Sequence, residues 1–420
     1  MTASLFEEVA SYENLSTAWT QVRRSGLRSQ SETTKASIKA YEQGVETRIH
    51  QVSQALQDGT FSFGEARAVR IPRPGKDPRP LVVAEIRDRI VQRSILDSLQ
   101  IQDALWEYVH HPRSFGGLPK RKRVDAMRCA CQAMADGATY FIKSDIGDFF
   151  TRVLRRDVLE RIQLLLPDAS LAELLDQATN LEIGNAQEMG ALIHLFPDDE
   201  EGVAQGCCLS PLFGNVYMHE FDELMNSGEV VTIRYIDDFL ILGPDRHSTD
   251  TAFGAGRKWL EGHNLGAYQP GDGSGKASAG HVSRGFQFLG CSVTRYIVER
   301  SRAARSDFLE RVKKKLDEAA NGMSKGNAQL PGQYGKSLVR TLALVSRMIH
   351  AWTEQYSFCN PTDAFYSVDK NVDRLVDRYL GSFFKRLRKS RTTAEERRRM
   401  LGVWLATDGS RDPILPLGDK

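Results

Sequence analysis

The chain has 420 residues, of which 41% are hydrophobic and 26% are charged, and its formal net charge is +2. This composition is typical of a soluble globular protein, and the length favours two or three subdomains. No apolar run approaches the roughly 20 residues of a membrane helix. The first residues lack the basic and apolar regions of a signal peptide. Because the six cysteines contain no Cys-x-x-Cys pair, a zinc or disulfide framework is not expected. We therefore expect a cytoplasmic protein that does not enter a membrane.

The predicted elements alternate between helices and extended segments. In chain order they are helices over 1–60, extended chain over 67–84 with a turn at Pro72–Pro80, helix over 86–109, a strand at Tyr140–Ile146, helix over 153–179, helix at Leu209–Met225, a hairpin over 228–243, a glycine-rich loop over 262–280, a strand over 286–293, and helices beyond Ser301. This order predicts an α+β core with a helical C-terminal appendage.

Two neighbouring carboxylates stand out in the predicted hairpin. Asp237 and Asp238 separate two apolar runs that are rich in β-branched residues, and a two-residue break of this kind predicts a tight turn. Adjacent carboxylates repel each other unless a cation shares their site, and Mg²⁺ prefers hard oxygen ligands. The pair alone fits a polar turn equally well, because Asp is common in turns.

A third carboxylate ends another apolar strand far upstream. Asp145 follows the run that begins at Tyr140, and two aromatic residues, Phe149 and Phe150, come shortly after it. An acid at a strand end, brought beside a hairpin that carries two more, can hold two metal ions ~3.5–4 Å apart. Such a centre transfers phosphoryl groups mainly by positioning and charge neutralisation. The three acids together predict a nucleotidyl-transfer site.

Three segments in this order resemble motifs A, B and C of the right-hand polymerases, and specifically of the reverse transcriptases. Asp145-Ile-Gly-Asp-Phe-Phe150 is similar to motif A, Gln205-Gly-Cys-Cys-Leu-Ser-Pro211 to motif B, and Tyr235-Ile-Asp-Asp238 to motif C. The resemblance implies catalysis by Asp145, Asp237 and Asp238, which with Ile146 would bind two Mg²⁺ ions; Mn²⁺ is a possible substitute. It also implies an α+β fold of fingers, palm and thumb, with an antiparallel palm sheet and a helical C-terminal thumb.

The resemblance at the level of motifs covers roughly residues 10–300. It implies an N-terminal helical extension (1–60), fingers with a basic template-side loop (61–135), a palm (136–300) with a fingers insertion at about 153–200, and a helical thumb or maturase-like RNA-binding region (301–420). In this last region Trp352, Tyr356 and Phe365 suit either a helical core or RNA contact.

The nucleotide site is predicted from the same motifs. The segment Ile71–Leu81 resembles the fingers hairpin whose basic residues clamp the triphosphate, with Arg79 as the choice for a γ-phosphate contact. The residues that the resemblance assigns to nucleotide binding are Arg73, Arg79, Ile146, Gly147, Asp148, Phe149, Phe150 and Gln205. Phe150 takes the position that packs under the sugar in this family. Its bulk would exclude a 2′-hydroxyl, so we expect deoxynucleotide selection.

Template and primer contacts are expected from a basic loop and from two turns. The loop Ser114–Arg121 resembles a template-side segment, although Gly117 and Leu118 replace the Phe and Arg that the family carries there. The residues assigned to the template and primer are Arg121, Lys122, Arg123, Tyr235, Phe288, Leu289 and Gly290. Lys276 sits where the family has a lysine that could protonate departing pyrophosphate; the glycine-rich loop around it suits a solvated lysine equally well.

The signatures look prokaryotic and similar to those of group II intron enzymes. A retron enzyme is disfavoured, because Asn185-Ala-Gln-Glu is followed by Met189 in place of the histidine motif of retrons. The chain most resembles the stand-alone, defence-associated reverse transcriptases, which implies deoxynucleoside triphosphates, a dedicated structured RNA template and a cDNA product. The alternatives are a group II intron maturase without an endonuclease, and a non-catalytic scaffold. A primase or an RNA-dependent RNA polymerase is a further alternative, and Phe150 weighs against both. Oligomeric state is not predicted.

Overall fold

The computed structural model describes residues 4–29, 31–73, 76–198, 201–323, 337–360, 363–389 and 393–403. The chain divides into two units, Met1–Ser283 and Arg284–Lys420. The predicted palm boundary at residue 300 therefore falls inside the second unit, and the other predicted domain boundaries stay predictions. The fingers turn Pro74–Gly75 and the thumb segments 324–336, 361–362, 390–392 and 404–420 lie outside the described residues. None of the described helices is long and apolar enough to cross a membrane.

The described helices of the first unit are α1 (Leu5–Ala10), α2 (Tyr12–Arg28), α3 (Glu32–Glu42), α4 (Val45–Gln57), α5 (Ile86–Leu99), α6 (Asp103–Val109), α7 (Arg123–Ala135), α8 (Phe149–Arg152), α9 (Arg155–Leu165), α10 (Ala172–Thr179), α11 (Ala186–Met189), α12 (Ser210–Tyr217), α13 (His219–Leu224) and α14 (Arg246–Gly262). Those of the second unit are α15 (Arg302–Met323), α16 (Leu338–Gln355), α17 (Asp363–Lys389) and α18 (Ala394–Leu401). Periodicity predicts single helices over 86–109, 153–179 and 209–225. The structure has two helices in each of these ranges: α5 and α6, α9 and α10, and α12 and α13.

The described strands are β1 (Arg67–Arg73), β2 (Lys76–Val83), β3 (Tyr140–Gly147), β4 (Val231–Tyr235), β5 (Asp238–Gly243), β6 (Gly266–Ala267), β7 (Ser278–His281), β8 (Phe286–Phe288), β9 (Cys291–Val293) and β10 (Val298–Arg300). They form a β1–β2 ribbon, a sheet of order β4-β5-β3-β6 in which β7 also pairs with β3, and a small sheet of order β10-β9-β8.

The five-stranded sheet of the first unit is antiparallel throughout. Strand β3 pairs with β5 on one side and with both β6 and β7 on the other. The segment 262–280, predicted as a loop, thus contributes two short strands that hold β3 in the interior. Apolar side chains such as Ile142, Ile241 and Phe239 are almost fully buried behind the sheet. This burial specifies the strand register, because a one-residue slip would move these side chains to the opposite face.

The β1–β2 ribbon extends further than the sequence predicts. A turn was expected over Pro72–Pro80, but the strands reach Arg73 and resume at Lys76, with Arg70 opposite Pro80. The ladder shifts register between Ile71 and Arg73. Proline cannot donate to a ladder, but a two-stranded ribbon has two free edges and tolerates proline at bulges. The prolines therefore bend the ribbon without ending it.

The N-terminal helices bury one continuous core with α5. Leu15, Val9 and Ile95 are fully buried there, and α1 and α2 pack on α5. Ser4 caps α1 with a reciprocal capping box to Glu7, as an N-terminal serine three residues before glutamate predicts.

The second unit combines the small sheet with the C-terminal helices. The predicted strand over 286–293 is a hairpin, because Leu289 and Gly290 both adopt positive φ between β8 and β9. Phe308 stacks on Trp352 at 4.6 Å between ring centroids, in a core built by α15, α16 and α17. Trp352 and Tyr356 are buried, so these two aromatics are core residues of this unit.

Candidate active site

The strand register brings two of the predicted catalytic carboxylates face to face. Asp145 is the cross-strand partner of Asp238 in the β3–β5 pair, and Asp237 lies in the two-residue turn between β4 and β5. The amide of Ile146 donates a 2.9 Å hydrogen bond to the carbonyl of Asp237. Ile236, the other turn residue, has a φ of +63°, which is unfavourable for a β-branched residue. The turn is therefore held in a strained conformation at the sheet edge.

Two lysines pair with these carboxylates. Lys276 Nζ lies 3.0 Å from Asp145 Oδ2, and Lys143 Nζ lies 3.1 Å from Asp238 Oδ1. Lys276 also donates to the Tyr268 hydroxyl at 3.2 Å, and Lys143 donates to the carbonyl of Lys276 at 3.1 Å. The structure thus brings Lys276 into the site. Lys143 was missed, although the two-residue period of a strand places it on the same face as Asp145.

Burial and mutual repulsion shift the carboxylates. Burial, followed by the charges of Asp145 and Asp238, raises the pKa of Asp237 to about 6. Burial also raises the pKa of Asp145, against the hydrogen bond from Lys276. Burial lowers the pKa of Lys276, but its contacts with Asp145 and Tyr268 outweigh this effect, and the pKa is raised overall. At neutral pH the site therefore carries more negative charge than the neighbouring groups of the protein balance.

The donor chemistry of the site suits a hard divalent cation. Asp145, Asp237 and Asp238 offer only oxygen donors, as Mg²⁺ prefers, and the raised pKa of Asp237 marks unbalanced negative charge. Throughout the described ranges, however, no three His, Cys, Asp or Glu side chains converge as a ligand set. The ammonium groups of Lys143 and Lys276 take the neighbouring cationic positions instead.

The fingers ribbon meets the motif B turn at the predicted nucleotide site. Arg79 Nε donates to Gln205 Oε1 at 3.1 Å, and the amide of Val82 donates to the carbonyl of Gln205 at 2.8 Å. Gly206 has a φ of +116°, and a Cβ there would lie 2.7 Å from the Val82 carbonyl oxygen. Glycine is therefore required for this close approach. Arg73 ends β1, and its side chain lies outside the described part of the structure.

The rest of motif A follows β3 directly. Ile146 is buried, and Gly147 ends the strand beside Tyr268. Asp148 adopts a φ of +48° and starts the short helix α8. Phe149 is 3% exposed and packs in the core, whereas Phe150 is half-buried and carries a carbonyl that accepts from the amide of Val203. Of the two aromatics, Phe150 is the one that retains an accessible surface.

The basic segment upstream of α7 is partly structural. Arg121 donates to the carbonyls of His111 and Ser114, both at 2.6 Å, and lies 5.5 Å from the Phe115 ring. Lys122 is exposed, and Arg123 begins α7. Tyr235 ends β4 opposite Asp238. Template contact by these four residues stays a prediction.

A buried polar network behind the catalytic turn was missed. Arg234 and Asp222 form an ion pair with two hydrogen bonds, at 2.7 and 2.6 Å, and their side chains are 1% and 3% exposed. Arg234 also donates to Ser114 Oγ at 2.8 Å, to Asn215 Oδ1 at 3.0 Å and to the Ile236 carbonyl at 3.1 Å. Only the packing of α13 on the sheet reveals this contact, because an arginine in a hairpin strand is ordinarily read as solvent-exposed.

The predicted primer contacts lie in the second unit. Phe288 is buried and ends β8, and Leu289 and Gly290 form the turn to β9. The carbonyl of Gly290 accepts a 3.0 Å hydrogen bond from the amide of Ser301. The turn is ordered within its own unit, and primer contact stays a prediction.

An arginine-lined groove adjoins the motif B turn on the side of the N-terminal helices. Its volume is about 840 Å³. Arg24, Arg28 and Arg89 line it and have no ion pair or hydrogen bond through their side chains among the described residues, and Arg93 lines it as well. None of the described residues that line this groove carries a carboxylate. Its charge suits a phosphate-bearing ligand.

An antiparallel sheet with three carboxylates at one edge defines the palm of a right-hand polymerase. The family described as reverse transcriptase (RNA-dependent DNA polymerase) matches residues 71–293. This match covers more than half of the chain, and the chain belongs to the reverse transcriptase family.

Parts of several known proteins are similar to this chain. The chain is 30% identical over 193 residues to protein YkfC of Escherichia coli, covering 43% of this chain and 47% of that protein. It is 26% identical over 181 residues to the group II intron-encoded protein LtrA of Lactococcus lactis, covering 43% and 28% of the two chains. The chain thus spans less than half the length of these relatives. A telomerase of Candida albicans, solved with a fragment of telomeric RNA, gives a TM-score of 0.43 at 13% identity, covering 77% of this chain and 59% of that one.

Proposed function

We propose that this protein is an RNA-directed DNA polymerase that makes cDNA by two-metal nucleotidyl transfer. The observation that carries the proposal is the cross-strand pairing of Asp145 with Asp238, with Asp237 in the adjoining turn. Family membership supports the reaction class. A polymerase needs this carboxylate edge. A scaffold would gain nothing from three clustered carboxylates, one of which, Asp237, has its pKa raised by burial and by the charges of the other two.

In this proposal Asp145, Asp237, Asp238 and Ile146 bind two Mg²⁺ ions, with Mn²⁺ as a possible substitute. The bound metal supplies charge neutralisation and lowers the pKa of the primer 3′-hydroxyl. The protein's own part is to hold the carboxylates on a rigid sheet and to position the substrates.

Lys276 acts as the proton donor to departing pyrophosphate. Its ammonium is kept protonated by the contacts with Asp145 and Tyr268, and a protonated amine at this position can donate to a leaving phosphate oxygen. Arg79 and Gln205, joined by a 3.1 Å hydrogen bond, frame the site of the incoming deoxynucleoside triphosphate. The half-buried ring of Phe150 excludes the 2′-hydroxyl of a ribonucleotide.

The template is proposed to be RNA, and its unpaired strand to enter along the groove of Arg24, Arg28, Arg89 and Arg93. The guanidinium groups of Arg24, Arg28 and Arg89 have no ion pair or side-chain hydrogen bond among the described residues, and at a groove that adjoins the motif B turn they favour backbone phosphates. We further propose that the template is a dedicated structured RNA, that the cDNA serves anti-phage defence, and that the protein acts in the cytoplasm.

The second candidate is a splicing role as a maturase without an endonuclease. The similarity to the intron-encoded protein LtrA favours it. The two candidates differ in the RNA that they bind, since a maturase would hold an intron and a defence enzyme a short structured transcript.

The test is to sequence both the RNA that copurifies with the protein and the DNA that the preparation makes with Mg²⁺ and deoxynucleotides. We expect a short structured RNA and cDNA that is complementary to it. An intron bound without any cDNA would support the splicing role, and DNA synthesis absent on every RNA supplied would contradict polymerase activity. Asp237→Asn protein is the matched control, because it should retain the RNA and make no DNA.

A further inference from the structure

The buried guanidinium of Arg234 connects four separate segments at the back of the catalytic turn. It contacts Asp222 of α13, Asn215 of α12, Ser114 of the template-side loop and the carbonyl of Ile236 in the turn itself. Only the fixed fork of a guanidinium offers donors in enough directions to serve all of these acceptors.

The main chain at this point is equally constrained. The amide of Arg234 donates to the Arg113 carbonyl at 2.9 Å, and the amide of Phe115 donates to the Arg234 carbonyl at 3.0 Å. A Cβ at Gly116 would lie 2.6 Å from the amide nitrogen of Ile236. The loop that carries Ser114 is therefore wedged directly against the catalytic turn.

Arg234 donates a hydrogen bond to the carbonyl of Ile236, the residue of the turn with the strained backbone. Ile236 adopts a φ of +63°, a conformation that costs energy for a β-branched residue and persists only where its surroundings impose it. The hydrogen bond from Arg234 to Ile236 O, together with the close packing of Gly116, is the constraint that the structure supplies. The residue after Ile236 is Asp237, so this carbonyl fixes where the carboxylate stands.

We propose that Arg234 is a positioning residue, which fixes the Asp237–Asp238 turn against the template-side loop and the motif B helix. It does not touch substrate. Its loss should therefore misplace the carboxylates while it leaves the Arg79–Gln205 site intact. The kinetic part of this inference rests on the proposed polymerase activity, whereas the ordering of the turn does not depend on it.

The experiment compares Arg234→Lys, Asp222→Asn and the control Arg155→Lys. Lysine at 234 keeps the charge beside Asp222 but loses the fork. Asp222→Asn keeps the shape of the acceptor and removes its charge, so it provides a milder variant. Arg155 is a second buried arginine of the same unit, and it donates to the Gly202 carbonyl at 2.8 Å and to Asn180 at 3.2 Å. Its substitution should cost stability without reaching the turn.

The first readout is amide hydrogen exchange of the whole protein, which needs no activity. For Arg234→Lys we expect exchange to rise by about tenfold or more in peptides spanning 231–243 and 113–118, with a smaller rise for Asp222→Asn. Arg155→Lys should leave both peptides unchanged. Unchanged exchange at the turn in both Arg234→Lys and Asp222→Asn, or an equal rise in the control, would overturn the proposal.

The second readout is single-turnover nucleotide addition. Arg234→Lys should lower the maximal rate by about 100-fold, as expected for a displaced catalytic group, with the nucleotide Kd within about threefold of the wild-type value. A purely structural role predicts a lower melting temperature with an unchanged rate in the folded protein, and that outcome would refute positioning. If the wild-type protein makes no DNA, the proposed function fails, and the exchange data alone decide the role of Arg234.

Discussion

Lys143 contacts Asp238 across the β3–β5 pair, with 3.1 Å between the ammonium nitrogen and a carboxylate oxygen. Lys276 contacts Asp145 at 3.0 Å at the same end of the sheet. Each of the two facing carboxylates therefore has its own cation, and Asp237 has neither. A divalent metal must compete with these ammonium groups, so the lysines set how readily the site takes up metal.

Removal of Lys143 should strengthen metal binding. In Lys143→Met one competing cation is lost, and we expect the Mg²⁺ concentration for half-maximal activity to fall by roughly 1.5-fold to fivefold, the range of a partly exposed ion pair. Titration of primer extension with Mg²⁺ measures this. Lys258→Met, which changes an exposed lysine of α14, is the matched control, and a higher Mg²⁺ requirement in Lys143→Met would contradict the competition.

Lys276 should act through its proton and not only through its charge. Lys276→Met should lower the single-turnover rate by about 100-fold. Lys276→Arg keeps the charge beside Asp145 but is a poorer proton donor, because a guanidinium releases its proton less readily than an ammonium. Arginine should therefore fail to restore the rate, and full rescue by Lys276→Arg would assign the residue to charge pairing alone.

Phe150 should control sugar selection. Phe150→Ala opens space under the sugar, and ribonucleotide incorporation relative to deoxynucleotide incorporation should rise by about tenfold or more. Phe149→Ala removes a core side chain that is 3% exposed, so it should lower stability without changing selection. Competition between the two nucleotide types in primer extension distinguishes the variants. Equal selection in Phe150→Ala and wild type would contradict the assignment of Phe150 to sugar selection.

Gly206 should tolerate no side chain. Gly206→Ala forces a Cβ to within 2.7 Å of the Val82 carbonyl oxygen at a φ of +116°, and we expect a loss of about 1–3 kcal/mol in unfolding free energy or an equivalent loss in nucleotide affinity. At Gly228 a Cβ would meet nothing within 4 Å. Gly228→Ala should therefore be close to wild type in both denaturation and nucleotide titration, and similar behaviour of the two variants would contradict this account of the turn.

The raised pKa of Asp237 predicts a pH-dependent stability in chelator. The folded-state pKa of about 6 lies above the ordinary value of 3.8 for an aspartate, so the ionised carboxylate destabilises the fold above pH 6. This penalty shrinks as the pH falls through 6 towards 3.8. Asp237→Asn should thus melt higher than wild type at pH 7.5, on the order of 2 °C, and the difference should disappear near pH 4. A lower melting temperature for Asp237→Asn at pH 7.5 would show that the carboxylate is stabilised in the metal-free fold.

The palm could be predicted because its three carboxylates lie at the ends of strands, and the order of these strands along the chain is visible in the sequence. The sequence predicts that the strand ending near Asp145 lies beside the Asp237–Asp238 hairpin, and the structure adds the register in which Asp145 pairs with Asp238. The place of Lys143 in the site could equally have been predicted, since it precedes Asp145 by one strand period and so lies on the same face. The contact between Arg234 and Asp222 was not, because it depends on how α13 packs behind the hairpin.

Tertiary context also decided the elements that sequence patterns missed. Strand β6 contains only Gly266 and Ala267, and β7 contains Ser278, Ala279 and Gly280. These residues have low strand propensity, so their pairing with β3 is imposed by the surrounding sheet and not by the intrinsic preference of their own segment. Leu289 adopts a φ of +49°. The apolar pattern predicts a single strand there, whereas the resemblance to the reverse transcriptases implies a turn at Phe288–Gly290, and the structure has a hairpin.

The central claim is that the carboxylate edge catalyses DNA synthesis on RNA. Primer extension with purified protein, an RNA template, a DNA primer, deoxynucleotides and Mg²⁺ tests it most directly, with Asp145→Asn and Asp237→Asn beside wild type. Asp250→Asn, which changes an exposed acid on α14, serves as the control. We expect DNA from wild type and Asp250→Asn and none from the two edge variants. DNA synthesis that persists in Asp145→Asn or Asp237→Asn would contradict the account.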